Sequence, residues 1–119
     1  MCHVLIIEDE PLIAMLIQEA LEEVGATSFE FATTEKEAVD RALQQRPAVI
    51  SADVRLNEGD GLQAVRKIRA QLGWIPVMFI TGSPDECEPL DDGVVISKPL
   101  SFPSIQAAFQ QINEVGPRH

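Results

Sequence analysis

Short apolar runs alternate regularly with segments of helical periodicity along this chain. Apolar runs of strand length occur five times, as HVLII (3–7), SFEFA (28–32), AVISA (48–52), IPVMFI (75–80) and GVVIS (93–97). Between them, apolar residues recur at helical intervals over 11–24, 34–45, 62–72 and 102–112. Such alternation predicts a parallel sheet covered on both faces. We therefore expect an α/β fold, a doubly wound five-stranded parallel sheet with strand order 2-1-3-4-5.

Turn and capping residues mark the ends of these elements. Gly25 follows the first helical segment, Thr34 and Glu37 form a capping-box pattern before the second, and Pro47 follows it. Only TGSPDECEPLDD (81–92) separates the fourth strand from the fifth. Its prolines and glycine leave room for about one or two helical turns. The fourth helix is therefore predicted to be shortened or missing.

Length, charge and cysteine content limit the class of protein. A chain of 119 residues holds one core, so we expect one domain over 1–115 and a frayed tail at 116–119. The net charge of −10 argues against a nucleic-acid surface. No apolar stretch approaches the roughly 20 residues of a membrane span, and no secretory signal is visible. Cys2 and Cys87 are expected to be free thiols in a reducing cytoplasm.

Polar residues follow four of the five predicted strands at the point where each strand ends. Glu8 and Asp9 follow the first strand, Asp53 the third, Thr81 the fourth and Lys98 the fifth. The carboxyl ends of parallel strands share one edge of the sheet, where ligands gather, and neighbouring strands lie about 4.8 Å apart. We therefore expect these five side chains to lie close together.

Each of these residues also has an ordinary structural explanation when taken alone. Glu8 and Asp9 suit a helix start, Asp53 suits a local turn, and Lys98 can be a solvated lysine before Pro99. Together, however, three carboxylates at one edge repel one another, and each raises the cost of ionising the next. A divalent cation removes that repulsion, and carboxylate oxygens suit Mg²⁺. The sequence therefore predicts a magnesium site.

A carboxylate beside Mg²⁺ can also act as a nucleophile toward phosphorus and form an aspartyl phosphate. Phosphoryl transfer depends mainly on positioning and on neutralising negative charge. The metal, the hydroxyl of Thr81 and the ammonium of Lys98 can each take one phosphoryl oxygen. These residue types therefore indicate chemistry on a phosphoryl group.

The chain resembles the receiver domain of two-component response regulators over residues 4 to about 113, through Glu8-Asp9, Asp53, Thr81 and Lys98-Pro99. The resemblance implies a flavodoxin-like fold. It also implies that Asp53 is the phosphoacceptor, charged from a phosphohistidine on a sensor histidine kinase or a histidine phosphotransfer protein. Thr81 and Lys98 would move toward the phosphoryl group and pair with it.

The resemblance further implies a set of metal ligands. Asp9 and Asp53 would bind Mg²⁺, with Glu8 acting through water. The backbone carbonyl of Arg55, two residues after the acceptor, would add a further ligand.

Three features depart from the common pattern of the family. Many receivers carry an aromatic residue three positions before the lysine, and its rotation reports phosphorylation. Val95 stands there, in a switch region that also includes Thr81, Lys98 and Pro99. The Lys98–Pro99 bond is expected to be cis, as is usual in the family. The fourth helix is curtailed, and VRLNEGDG (54–61) lacks the Met-Pro common after the acceptor.

Two short stretches indicate a narrower placement. FITG (79–82) is similar to a bacterial branch of receivers that has a Phe-Ala-Thr-Gly stretch and no aromatic switch, and that includes single-domain regulators. EDEPLIAM (8–15) is similar to receivers joined to a sigma-factor-like module in stress regulators.

We therefore expect a single-domain response regulator that accepts a phosphoryl group, is not an enzyme, and acts by contact with an unknown downstream protein or as a phosphate sink. An interaction module that has lost phosphorylation is the first alternative, favoured by Val95 and the curtailed helix. A metal-dependent phosphatase is the least favoured alternative. Such enzymes usually place a second acid two residues after the nucleophile, where this chain has Arg55.

Overall fold

The computed structural model describes residues 2–82 and 93–115. In them lie five strands, β1 (His3–Ile7), β2 (Ser28–Ala32), β3 (Val49–Asp53), β4 (Val77–Thr81) and β5 (Val94–Ser97). The helices there are α1 (Pro11–Glu22), α2 (Glu35–Gln44), α3 (Gly61–Leu72) and α4 (Phe102–Val115). None of these helices has the length and apolar character needed to cross a membrane. The predicted short fourth helix, Cys87 and the predicted tail fall outside the described residues.

The strands form one parallel sheet in the order β2-β1-β3-β4-β5, which confirms the predicted doubly wound fold. Pairing aligns the carboxyl ends of the central strands, because Asp53 pairs with Ile80 and Thr81 pairs with Ser97. The residues at these strand ends therefore share one edge of the sheet.

Two separate apolar cores lie on the two faces of the sheet. Alternate residues of β1 divide between them, so that Val4 and Ile6 face α1 and α4 while Leu5 and Ile7 face α2 and α3. All residues of β3 and β4 are buried, as expected for central strands covered on both faces. The sheet therefore gives the carboxyl-edge residues a closely packed base.

Side-chain caps set the starts of two helices. Thr34 Oγ1 accepts a hydrogen bond from Glu37 N at 3.1 Å, as the capping-box pattern predicts. Glu37 Oε1 reaches back to Thr33 N at 2.7 Å, one residue earlier than the simple motif requires. The Asp60 side chain caps α3 by accepting from Leu62 N at 2.7 Å. Gly61 N, at the start of α3, donates to Val54 O at 3.0 Å, and this hydrogen bond holds the helix start beside the end of β3.

Candidate functional site

The five predicted site residues lie together at the carboxyl edge of the sheet. Glu8 and Asp9 follow β1, Asp53 and Thr81 end β3 and β4, and Lys98 follows β5. Lys98 Nζ lies 3.3 Å from Asp53 Oδ2, although β4 separates their strands. Asp9, Asp53, Thr81 and Lys98 line one cavity of about 340 Å³. The long lysine side chain therefore spans the distance that separates two non-adjacent strands.

Three carboxylates form the acidic part of the site. One oxygen each of Glu8, Asp9 and Asp53 lie within 4.8 Å of one another. Glu8 and Asp53 are only 2% and 5% exposed, and Asp9 is half-buried. Buried carboxylates at this separation repel when both are charged. The cluster has the oxygen ligands that Mg²⁺ prefers.

The surroundings of the Glu8 carboxylate test whether these acids could hold a cation. Glu8 Oε1 is buried and has no hydrogen-bond partner in the described part of the chain, whereas Oε2 accepts from Glu10 N at 3.2 Å. Burial, followed by repulsion from Asp53, raises the pKa of Glu8 from 4.5 to about 8. A bound divalent cation would give Oε1 a partner and favour the charged carboxylate. The residues present therefore fit the predicted metal.

The two oxygens of Asp53 have different neighbours. Oδ1 accepts a hydrogen bond from Arg55 N at 3.1 Å, and Oδ2 faces the Lys98 ammonium. Burial disfavours that ammonium, but the charge of Asp53 and its hydrogen bond outweigh burial and raise the pKa of Lys98. Lys98 is therefore cationic at neutral pH and stays available to an anion beside Asp53.

The metal-free protein should lose stability as pH rises from about 5 to 8.5. The folded-state pKa of Glu8 is raised from 4.5 to about 8. The folded state therefore keeps a proton that the unfolded state releases, so the stabilisation is complete below about pH 4.5 and is lost as pH rises through about 8. The loss should reach a few kcal/mol, since one pKa unit corresponds to about 1.4 kcal/mol.

Urea denaturation in EDTA across this pH range measures the effect. Glu8→Gln should flatten the profile, and excess Mg²⁺ should restore stability to the wild type at pH 8.5. Glu22→Gln changes an exposed acid on α1 and should leave the profile as it is. Identical pH profiles for Glu8→Gln and the wild type would rule out this account of the acidic cluster.

The remaining predicted residues lie around this centre. Arg55 lines the same cavity, while the role of its carbonyl as a ligand stays a prediction. The Lys98–Pro99 bond is cis, as the resemblance implies. Val95 is 38% exposed on β5 and, with Pro99, lines a different surface cavity of about 350 Å³. The residues of the predicted switch region therefore extend from the acidic site to the outer surface of β5.

A backbone amide makes a contact at this site that the sequence does not predict. Asn57 N donates to Asp9 Oδ2 at 2.7 Å, across 48 positions of sequence. The segment 54–60, the β3–α3 loop, therefore contacts two of the three carboxylates, through Arg55 N and Asn57 N. No residue type signals such a contact, because every residue except proline carries the same donor.

An apolar surface adjoins the acidic cluster. Leu12, Met15 and Phe31 are exposed by 79%, 53% and 38%. Met15 and Phe31 line a cavity of about 310 Å³ together with Glu8 and Asp9. We call Leu12, Met15 and Phe31 the α1–β2 patch. Exposed apolar side chains grouped in this way mark surfaces that contact other molecules.

Comparison with known proteins identifies the family. A family model described as "Response regulator receiver domain" matches residues 4–110. The chain belongs to this family. The receiver domain is 37% identical over 114 residues to the phyllosphere-induced regulator PhyR of Methylorubrum extorquens, covering 92% of this chain and 42% of PhyR. It is 33% identical to KdpE, the KDP operon transcriptional regulatory protein of Escherichia coli, covering 92% of this chain and 50% of KdpE.

Solved structures show the same fold. The PhyR receiver domain of Erythrobacter litoralis has a TM-score of 0.87 and 28% identity, over 99% of this chain and 95% of that one. The structure called anti-anti-sigma factor PhyR, from Bartonella quintana, has a TM-score of 0.83 and 35% identity, over 96% of this chain and 48% of that one. The receiver domain spans about half the length of the curated relatives it matches.

Proposed function

We propose that this receiver domain accepts a phosphoryl group on Asp53 in a Mg²⁺-dependent reaction. The observation that carries the proposal is the environment of the Asp53 carboxylate. One oxygen each of Glu8, Asp9 and Asp53 lie within 4.8 Å of one another, and Lys98 Nζ lies 3.3 Å from Asp53 Oδ2. Glu8, Asp9, Asp53 and the carbonyl of Arg55 would hold the metal.

The proposed reaction uses Asp53 as the nucleophile. An Asp53 oxygen forms a bond to phosphorus while the phosphorus–nitrogen bond of a phosphohistidine breaks, and the electron pair of that bond stays with the imidazole nitrogen. Bound Mg²⁺ supplies positive charge that offsets the acids and the phosphoryl oxygens. The Lys98 ammonium and the Thr81 hydroxyl donate to phosphoryl oxygens. Attack by water on the acyl phosphate would restore the carboxylate, so the protein assists both its own phosphorylation and its own dephosphorylation.

The test is chemical modification by a small phosphodonor. Incubation with acetyl phosphate and Mg²⁺ should add one phosphoryl group, and EDTA should prevent the addition. Borohydride reduces an acyl phosphate to an alcohol, so reduction followed by peptide mapping should find homoserine in place of Asp53. Modification at another position, or none with Mg²⁺ present, would contradict the proposal.

The proposed natural donor is a sensor histidine kinase or a histidine phosphotransfer protein, and the proposed location is therefore the cytoplasm. A protein donor needs a docking surface, and Met15 and Phe31 of the α1–β2 patch line a cavity together with Glu8 and Asp9. Leu12, the third residue of the patch, is exposed three positions before Met15 on α1. Leu12→Asp should slow transfer from a phosphorylated kinase roughly tenfold or more, because truncated hot-spot contacts commonly cost over 1.4 kcal/mol. The rate with acetyl phosphate should stay unchanged, and an equal loss with both donors would exclude docking at Leu12.

The proposed output is contact with a downstream protein in stress signalling, or removal of phosphoryl groups from a kinase. The relatives support this direction, because the Bartonella quintana PhyR is called an anti-anti-sigma factor and PhyR in another solved structure is called a stress response regulator. Val95 supports a switch that does not depend on rotation of an aromatic side chain. We also propose that residues 1–115 form the receiver unit, since its strands and helices extend from residue 3 to residue 115.

An interaction module without phosphorylation is the second candidate, and Val95 in place of an aromatic switch favours it. This second candidate predicts that partners bind the phosphorylated and the unphosphorylated protein equally well. A beryllofluoride complex, which mimics the phosphoryl group, separates the two candidates. Partner affinity that changes with beryllofluoride supports a switch, and unchanged affinity supports the module.

A further inference from the structure

The start of α2 is joined to the β3–α3 loop by the side chain of Glu35. Glu35 Oε1 accepts a hydrogen bond from Asp60 N at 3.1 Å, and Glu35 Oε2 pairs with Lys67 of α3. The Glu35 backbone also donates to Glu58 O at 3.2 Å. One residue therefore contacts the end of the loop and the helix that follows it.

The packing around this contact is close. Gly59 has a φ of +93°, and a Cβ built there would lie 2.5 Å from Glu35 Cβ. Glycine is the residue that accepts both this conformation and this approach. The hydrogen bond from Lys67 lowers the pKa of Glu35, so the carboxylate remains charged at neutral pH. The loop is therefore held against α2 by specific contacts on both main chain and side chain.

The other part of the same loop reaches the acidic site. Arg55 N donates to Asp53 Oδ1 at 3.1 Å, and Asn57 N donates to Asp9 Oδ2 at 2.7 Å. Only two residues separate Asn57 from Asp60, whose backbone N–H is bound by Glu35. An isolated antiparallel bridge pairs Arg55 with Asp60 across this loop, so its two ends are linked directly. The position of Glu35 therefore influences where these two amides lie.

We propose that Glu35 is a positioning residue, which holds the β3–α3 loop so that the amides of Arg55 and Asn57 orient the carboxylates of Asp53 and Asp9. The inference rests on the proposed function for its kinetic consequence, but its structural consequence is independent of phosphorylation. Glu35 touches neither the metal site nor the phosphoryl group directly. It acts through the loop.

Glu35→Ala should loosen the loop without unfolding the protein. Thr34 still caps α2, and partly exposed ion pairs contribute little to global stability. In the metal-free protein the amide resonances of Arg55 and Asn57 should shift and exchange with solvent roughly tenfold faster. Mg²⁺ affinity and the rate of phosphorylation by acetyl phosphate should each fall roughly tenfold, as expected when reacting groups are misplaced slightly.

Glu37→Ala is the matched control. Glu37 lies in the same first turn of α2 and bonds to Thr33 N rather than to the loop. It should reproduce any loss of helix stability while leaving the two amides, Mg²⁺ affinity and the phosphorylation rate near wild type. Glu35→Gln keeps an acceptor for Asp60 N but loses the charge pair with Lys67, so its values should lie between those of Glu35→Ala and the wild type.

Three results decide the inference. The inference is supported if the amide resonances and exchange of Arg55 and Asn57, and the Mg²⁺ affinity, change in Glu35→Ala and not in Glu37→Ala. Equal behaviour of the two alanine variants overturns it. If Glu35→Ala fails to fold, Glu35→Leu takes its place, because leucine has no acceptor for Asp60 N, and wild-type amide resonances and exchange in that variant also overturn it. If the wild type takes up no phosphoryl group, the proposed function fails, while the amide measurements and the Mg²⁺ affinity still decide the role of Glu35.

Discussion

Asp53→Asn should abolish phosphorylation, lowering the rate with acetyl phosphate and Mg²⁺ by at least about 1,000-fold, as loss of a nucleophile commonly does. The amide of asparagine is neutral and a poor nucleophile toward phosphorus. The substitution keeps the size of the side chain, so the sheet should stay intact around position 53. Intact-protein mass spectrometry over time measures the effect.

The same substitution should alter the acidic site even without a phosphodonor. Asp53 raises the pKa of Glu8 by charge repulsion, so removing its charge should bring the Glu8 pKa closer to 4.5. Mg²⁺ affinity should also fall, because one of the three carboxylates proposed to bind the metal is lost. Asp40→Asn is the control, since Asp40 is an exposed acid paired with Lys36 on α2. Phosphorylation of Asp53→Asn at the rate of Asp40→Asn would eliminate Asp53 as the acceptor.

Gly61→Ala should destabilise the protein by about 3 kcal/mol or more, the upper range for overpacking. A Cβ at position 61 would lie 1.9 Å from Asp53 O and 2.9 Å from Asp53 C. Both are backbone atoms of a buried strand and have little room to move. The start of α3 would have to shift away from β3, which stretches the 3.0 Å hydrogen bond from Gly61 N to Val54 O.

Helix propensity opposes this effect and is too small to reverse it. Alanine is favoured over glycine inside a helix by about 1 kcal/mol. Urea denaturation followed by circular dichroism gives the net change. Gly82→Ala is the matched control, because a Cβ there has no neighbour within 4 Å among the described residues. Wild-type stability for Gly61→Ala would contradict a close contact between the start of α3 and the backbone of Asp53.

The arrangement of the site residues could be predicted because each of them ends or follows a strand. Once the alternation of strands and helices is recognised, the connections of a doubly wound sheet bring all its carboxyl ends to one edge. Asp9 and Asp53 are 44 positions apart by numbering, yet their oxygens lie within 4.8 Å of each other. Lys98 also reaches Asp53 as its length suggested, at 3.3 Å.

The contacts of the β3–α3 loop could not be predicted in this way. Asn57 N reaches Asp9, and Asp60 N reaches Glu35, through backbone donors that every residue except proline possesses. The close approach of Gly61 to Asp53 O could not be predicted either, because a glycine at a helix start is equally compatible with an ordinary turn. The sequence pattern identified these positions as loop and helix start but not what they contact.

Residue types alone indicate the order of strands and helices in this protein, the edge of the sheet that carries the charged residues, and the side chains that meet there. These properties follow from hydrophobic periodicity and chain connectivity, which are written in residue types. The orientation and burial of the carboxylates, and their hydrogen bonds to the β3–α3 loop, become visible only in the folded chain. Those properties depend on distances between backbone atoms that are far apart in the sequence, and the residue type at a single position does not specify such a distance.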